Sequence, residues 1–240
     1  MSNKVAIVTG AGNGIGLSIV TQLLNSPEVS HVVGVDLNTA KLESLQQTHR
    51  DQLHVVTGDV SQQSTNIQAV ELALKHGKHL NAIVLNAGVN RSVGPLPTLS
   101  VDDWKSMFDI KAAWPYLLET EGDILMTSSG VSLAPAESWT PYACTKSSLN
   151  YLVSCLPLEE PRIKAISITP GAVDTNLQTE IRMNTKKSKA TTDFLNGFYN
   201  ENRLLKPEQP ASAFVKLVKI GIPARLTGKT VSWEDVVKAH

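Results

Sequence analysis

Two cysteines in 240 residues, no excess charge of either sign and no long apolar run narrow the possibilities before any motif is read. Cys144 and Cys155 stand eleven apart on one expected helix, which suits a reducing compartment and builds neither a disulfide framework nor a zinc site. Lys plus Arg and Asp plus Glu number 22 each, so the formal net charge is zero and gives no reason to expect nucleic acid or an anionic membrane as a partner. The one basic run, Lys186-Lys187-Ser188-Lys189, reads as a solvated loop. The first expected strand starts at Lys4, too early for a signal peptide, and the Lys-Ala-His240 end is no peroxisomal address. A cytoplasmic location is therefore expected. His76 and His79 flank Gly77 at a helix end with no carboxylate or third ligand nearby, and read as surface histidines, so no metal is expected.

What the chain has is a regular alternation. It is 42% hydrophobic and 18% charged, enough for one substantial core, and residues 1–240 are expected to form one domain. Short, β-branched, nearly unbroken apolar runs predict strands at Val5 to Val8, Val32 to Val35, His54 to Thr57, Ala82 to Leu85, Ile124 to Thr127, Lys164 to Ile168 and Thr230 to Ser232. Helical periods fall between them, at Ile15 to Leu24, Thr65 to Lys75, Asp102 to Tyr116, Tyr142 to Cys155 and Ala211 to Lys219. Right-handed crossovers then give an α/β fold, a Rossmann-type doubly wound parallel sheet of about seven strands, with ligands at its carboxyl edge. The stretch from Asn176 to Leu205 has no strong period and reads as a lid; Phe194, Phe198 and Tyr199 within it suit packing more than recognition.

The first strand runs into Thr9-Gly10-Ala11-Gly12-Asn13-Gly14-Ile15-Gly16 and then a helix. In that context the glycines let the backbone approach a pyrophosphate, and the helix N-terminus supplies free N–H groups. Twenty residues after Gly16, Asp36 ends the second strand, where a carboxylate accepts from ribose hydroxyls and repels a 2′-phosphate. Neither Asn13 nor Leu37 brings a cation for that phosphate, so NAD(H) is expected over NADP(H). The competing reading of Asp36 is an aspartate that only starts the turn before the helix at Thr39.

Tyr142 and Lys146 are four apart on an expected helix, hence on one face, and Ser129 lies thirteen positions upstream of the tyrosine. A phenol, an ammonium and a hydroxyl meeting one carbonyl oxygen suit hydride-transfer chemistry: the phenol exchanges a proton, the ammonium favours its ionised form, and the serine steadies the oxygen. The spacing alone is also met by tyrosines that simply pack. Trp139, three residues before Tyr142, is equally suited to walling a pocket and to packing.

With these motifs in order, the chain resembles a short-chain dehydrogenase/reductase over essentially its whole length. Thr9 to Gly16 matches the family's TGxxxGxG, Asn86-Ala87-Gly88 its NAG segment, and Pro170-Gly171-Ala172-Val173-Asp174-Thr175 its PG segment, while Ser129, Tyr142 and Lys146 fall on its catalytic serine, tyrosine and lysine. The resemblance implies that Gly10, Asn13, Gly14, Ile15, Gly16 and Asp36 bind the dinucleotide, that Asp59 and Val60 contact its adenine, and that Asn86, Ala87 and Gly88 belong to the same site. It further implies that Tyr142 and Lys146 also touch the cofactor, Lys146 at the nicotinamide ribose, and that Pro170, Gly171, Val173 and Thr175 cradle the nicotinamide end. Asn200 to Leu205 and Lys219 to Pro223 are similar to fungal members related to benzil reductase and, more distantly, sepiapterin reductase. Those relatives use NADPH and lack a residue of the Asp36 type. The implied substrate is a small carbonyl compound, a ketone or diketone, interconverted with its alcohol.

One helix departs from the family. Its catalytic asparagine is expected seven residues after Trp104, where this chain has Lys111. The segment from Asp109 to Ser128 is also short by roughly nine residues, about 13 Å of helix. Lysine is donor-only and adds charge near Lys146. Because this helix commonly dimerises the family, weakened turnover and a weakened homodimer are expected. An alternative reading follows, a dinucleotide-binding protein with a sensing or interaction role. The intact serine, tyrosine and lysine favour the enzyme.

Overall fold

The computed structural model describes residues 3–88, 112–184 and 187–238. Trp104, Asp109, Ile110 and Lys111, and with them most of the shortened helix, lie outside the described residues, as does Lys186. Among the described residues, seven strands and nine helices alternate.

Strands β1 (Lys4–Thr9), β2 (Val29–Asp36), β3 (Leu53–Thr57), β4 (Ala82–Leu85), β5 (Asp123–Thr127), β6 (Lys164–Thr169) and β7 (Lys229–Ser232) form one sheet of order β3-β2-β1-β4-β5-β6-β7. Every pairing is parallel. The order reverses between β1 and β4, which opens a crevice at the carboxyl edge there. The helices are α1 (Gly14–Leu24), α2 (Ala40–Gln46), α3 (Gln63–Gly77), α4 (Trp114–Thr120), α5 (Thr140–Glu159), α6 (Asn176–Met183), α7 (Lys189–Asn200), α8 (Glu208–Ile220) and α9 (Trp233–Lys238).

Strand alternation explains why the runs are apolar throughout. Ala6 and Val8 point to one face and pack with Ile19, Leu23 and Phe214 from α1 and α8. Val5 and Ile7 point to the other and pack with Ala69, Ala73, Leu117 and Val153 from α3, α4 and α5. With helices on both faces, both sets are removed from water, and each large side chain so buried contributes about 1.5–3 kcal/mol.

The expected strands all form, longer by up to three residues at their ends. The stretch after Asn176 departs from expectation. It carries two helices, α6 and α7, each started by a hydroxyl cap: Thr175 Oγ1 accepts from Gln178 N at 3.3 Å, and Ser188 Oγ from Thr191 N at 3.2 Å. Lys187 is no free solvated cation either, since its ammonium donates to the main-chain oxygens of Arg182 and Asn184 and closes the end of α6. Among the described residues no helix is long and apolar enough to cross a membrane.

Candidate active site

Apart from the Tyr142-Lys146 pair on α5, the motifs of the sequence lie at the carboxyl ends of strands: Gly10 follows β1, Asp36 ends β2, Asp59 follows β3, Asn86 follows β4, Ser129 follows β5 and Pro170 follows β6. The parallel sheet therefore gathers on one edge residues scattered over the chain.

The turn from Gly10 to Gly16 is close-packed. Gly10 adopts φ +63°, and a Cβ on Gly16 would stand 2.0 Å from the Gly10 carbonyl oxygen, so an alanine there forces the turn open. Asn13 opens α1 without a side-chain cap, leaving the helix N-terminus to a ligand, and a cleft of about 360 Å³ lies before it, lined in part by Asn13, Gly14, Ser18 and Thr175. Uncapped N–H groups, a Cβ-free cradle and an open cleft fit a dinucleotide diphosphate. Ile15 packs against the core beneath.

Asp36 holds this turn as well as ending β2. Its Oδ2 accepts from Gly12 N at 2.8 Å and its Oδ1 from Asn38 N at 3.0 Å. A cation that the sequence reading missed stands at the glycine turn: Lys41, the second residue of α2, donates to Asn13 Oδ1 at 3.1 Å. Asp59 is exposed and accepts from Ser61 N at 2.9 Å, opening α3, while Val60 packs partly into the core.

Asn86 does something different from the expected ligand contact. Its Nδ2 reaches the carbonyls of Thr9 (3.2 Å) and Gly10 (3.1 Å), and its Oδ1 accepts from Thr127 Oγ1 at 3.1 Å. The side chain is spent on tying β1, β4 and β5 together. Ala87 N donates to Thr9 Oγ1, and Gly88 is open toward Lys146, whose Nζ would lie 3.8 Å from a Cβ there. Opposite, Gly171 takes φ +79°, Val173 bridges to Leu205, and Thr175 caps α6. Pro170 follows β6 directly.

Tyr142, Lys146 and Asn150 share one face of α5, spaced four and four. Lys146 is 6% exposed, and its Nζ lies 5.8 Å from the Tyr142 ring centre and 2.8 Å from Thr127 O. Burial pulls its ammonium down to about 8. Burial likewise pushes the Tyr142 phenol up to about 12, with the Ser129 hydroxyl pulling the other way. The expected lowering of the phenol by Lys146 is thus not what this geometry produces, because desolvation opposes any phenolate and the ammonium is turned to a carbonyl.

Asn150 is the residue that the sequence reading passed over. Its Oδ1 accepts from Ser128 Oγ (2.7 Å) and Ser167 Oγ (2.8 Å), and its Nδ2 donates to Ser132 Oγ at 2.8 Å. It clamps both sides of Ser129, and its signal was the continued fourfold spacing after Lys146. Above Tyr142, Trp139 is 7% exposed with its ring centre 5.7 Å from the phenol ring, and packs with Ile181 and Leu195. The packing reading of Trp139 is the one these contacts show. The aromatics of α7 pair elsewhere: Phe194 meets Phe198 edge-on at 5.0 Å, while Phe198 and Tyr199 lie beneath Arg203 and Arg182.

His54 is buried, hydrogen-bonded to His31 at 3.2 Å and stacked on His76 at 3.7 Å, at the opposite edge of the sheet. Among the described residues no three His, Cys, Asp or Glu side chains form a group able to hold a metal.

Comparison with known proteins agrees with this arrangement. The family model described as short chain dehydrogenase matches residues 4–186. An uncharacterized oxidoreductase of Saccharomyces cerevisiae, YIR035C, is 35% identical over 245 residues, covering 97% of this chain and 96% of its own. The crystal structure of that yeast protein superposes with a TM-score of 0.92 at 33% identity, over 99% of this chain and 98% of the other. The benzil reductase ((S)-benzoin forming) IRC24 of the same yeast is 32% identical over 254 residues, covering 97% and 96%. The chain belongs to the short-chain dehydrogenase/reductase family. It is an oxidoreductase, of a family that binds a nicotinamide dinucleotide and acts on small molecules.

Proposed function

We propose that this protein reduces a small ketone or diketone to the alcohol, with NAD(H) preferred over NADP(H). The observation that carries the reading is the joint position of Ser129, Tyr142 and Lys146 beside the glycine turn, under an apolar wall. The yeast benzil reductase, whose named substrate is a diketone, supports the substrate class. Asp36 at the end of β2 supports the cofactor preference.

A nicotinamide dinucleotide, when bound, would supply the hydride for the carbonyl carbon. Gly10, Asn13, Gly14, Ile15 and Gly16 would hold its diphosphate side, Asp36 its adenosine ribose, Asp59 and Val60 its adenine. Ala87 and Gly88 line the path to Lys146, Asn86 braces that path, and Pro170, Gly171, Val173 and Thr175 hold the nicotinamide end. As negative charge grows on the substrate oxygen, the Ser129 hydroxyl donates to it and Tyr142 gives up its proton, so one C–H and one O–H bond form. Burial keeps the phenol in its protonated form, the form from which it can give a proton to the substrate oxygen. Lys146 holds the ribose and supplies positive charge as the phenolate forms. Helices α6 and α7 close over the site as a lid and exclude water.

The test is the loss of NADH absorbance over a panel of diketones, ketones and secondary alcohols, repeated with NADPH. Turnover of a carbonyl compound with NADH is expected; turnover of none, with either dinucleotide, overturns the reading.

A further inference from the structure

One side chain on α6 carries a polar atom that the fold leaves unpaired. Gln178 is 7% exposed, yet its Nε2 has no hydrogen-bond partner. The orientation of the amide is fixed by its other end, because Oε1 accepts from Arg182 Nε at 2.8 Å and a guanidinium can only donate. Arg182 is in turn pinned, 3.8 Å above the Tyr199 ring centre and 3.4 Å from Thr179 Oγ1. The amide oxygen therefore faces the arginine and the NH2 group faces away, with nothing to accept from it. A buried donor without an acceptor costs free energy, and native folds rarely keep one without a use.

Its place on the helix indicates the use. Gln178 and Ile181 are the buried residues of α6, three apart and so on one face. Ile181 packs with Trp139 and Leu195 against Tyr142. Gln178 sits one turn nearer the start of α6, its main-chain N donating to the Thr175 cap. The face that Gln178 shares with Ile181 is therefore the one α6 turns toward the Trp139 and Tyr142 cluster.

We propose that Gln178 is a specificity-determining residue whose Nε2 donates to a second substrate oxygen, so that the site selects a 1,2-dicarbonyl or α-hydroxy ketone over a simple ketone. The proposal rests on the carbonyl-reducing reading above. A simple ketone leaves the donor buried and unpaired, and a site built around a hydrogen bond discriminates against the analogue that lacks it.

The experiment compares 1-phenylpropane-1,2-dione with 1-phenylpropan-1-one, the same skeleton without the second oxygen, at saturating NADH. Wild type is set beside Gln178→Glu, which keeps the oxygen that Arg182 needs but loses the donor, and Gln178→Met, which loses both. For the dione, kcat/KM is expected to fall about tenfold or more in both variants, chiefly through KM, as expected for a lost hydrogen bond. For the monoketone it is expected to change less than about threefold, with the Kd for NADH unmoved. If wild type reduces only the dione, the variants must lose that activity. Equal losses on both substrates, no loss, or a raised Kd for NADH overturns the assignment of Gln178 while leaving the reductase intact. Wild type that reduces neither compound overturns this assignment, and the reductase reading falls with it only if the wider panel is also untouched with either dinucleotide.

Discussion

Lys41 reaches from α2 to Asn13, its Nζ 3.1 Å from Oδ1, and so brings a cation to the same glycine turn that the Asp36 carboxylate holds through Gly12 N. The two charges act oppositely on a ribose 2′-phosphate. The aspartate is expected to dominate, since it ends β2 at the ribose position whereas an exposed lysine contributes little. NADH should bind more tightly than NADPH; Asp36→Ala should narrow the gap, and Lys41→Ala should weaken NADPH about threefold while leaving NADH unchanged. Titration calorimetry checks all three.

Asn150 makes three side-chain bonds around the loop that carries Ser129. Asn150→Leu should lower kcat about tenfold or more and cost about 1–3 kcal/mol of stability, with the Kd for NADH near normal. Asn150→Asp keeps both acceptor bonds and should recover part of kcat. Kinetics with parallel urea melts separate positioning from simple unfolding.

The pH profile follows from burial. Lys146 is pulled down to about 8 and Tyr142 pushed up to about 12, so below pH 8 both carry their protons. Carbonyl reduction should be flat from pH 6 to about 7.5 and fall as Lys146 loses its charge. A rate of reduction that climbs between pH 8 and 10 would count against the assigned roles.

Much of this was legible in the sequence. Val5 to Val8 and Ile124 to Thr127 are β-branched or apolar on both faces, and local pattern suffices for strands covered on two sides. Gly16, Asp36 and the Tyr142-Lys146 pair are set by spacing along single elements. What escaped depends on contacts between distant segments. Asn150 matters because β5 and β6 bring Ser128 and Ser167 to it, and His54 because it meets His31 and His76 across two strands and a helix. The helices at Asn176–Met183 and Lys189–Asn200 are amphipathic but mostly polar, each burying a single apolar residue, Ile181 or Leu195, so their period is faint in the sequence.

The His54 cluster gives a stability prediction. Burial, with His76, His31 and Lys75 nearby and only Asp51 opposing, pulls His54 down to about 4. Its neighbour His31 is lowered too, by burial and by His76 and His79, against the bond its ring donates to the Asp51 main-chain oxygen. The folded state therefore binds fewer protons than the unfolded chain between pH 6.5 and 4, and stability is lost as pH falls through that window, by about 2–3 kcal/mol. His54→Phe, which keeps the stack on His76, should flatten the dependence. Urea midpoints at pH 7 and 4.5 check it.

The central claim is that the Tyr142 phenol delivers the proton to the substrate oxygen. Tyr142→Phe removes that hydroxyl and leaves the ring against Trp139. For a carbonyl substrate reduced by the wild type, NADH-dependent kcat/KM is the direct measure, read beside the Kd for NADH. The account predicts a fall of about 10²-fold or more with a Kd within about twofold. A phenylalanine variant that keeps most of its turnover would contradict it.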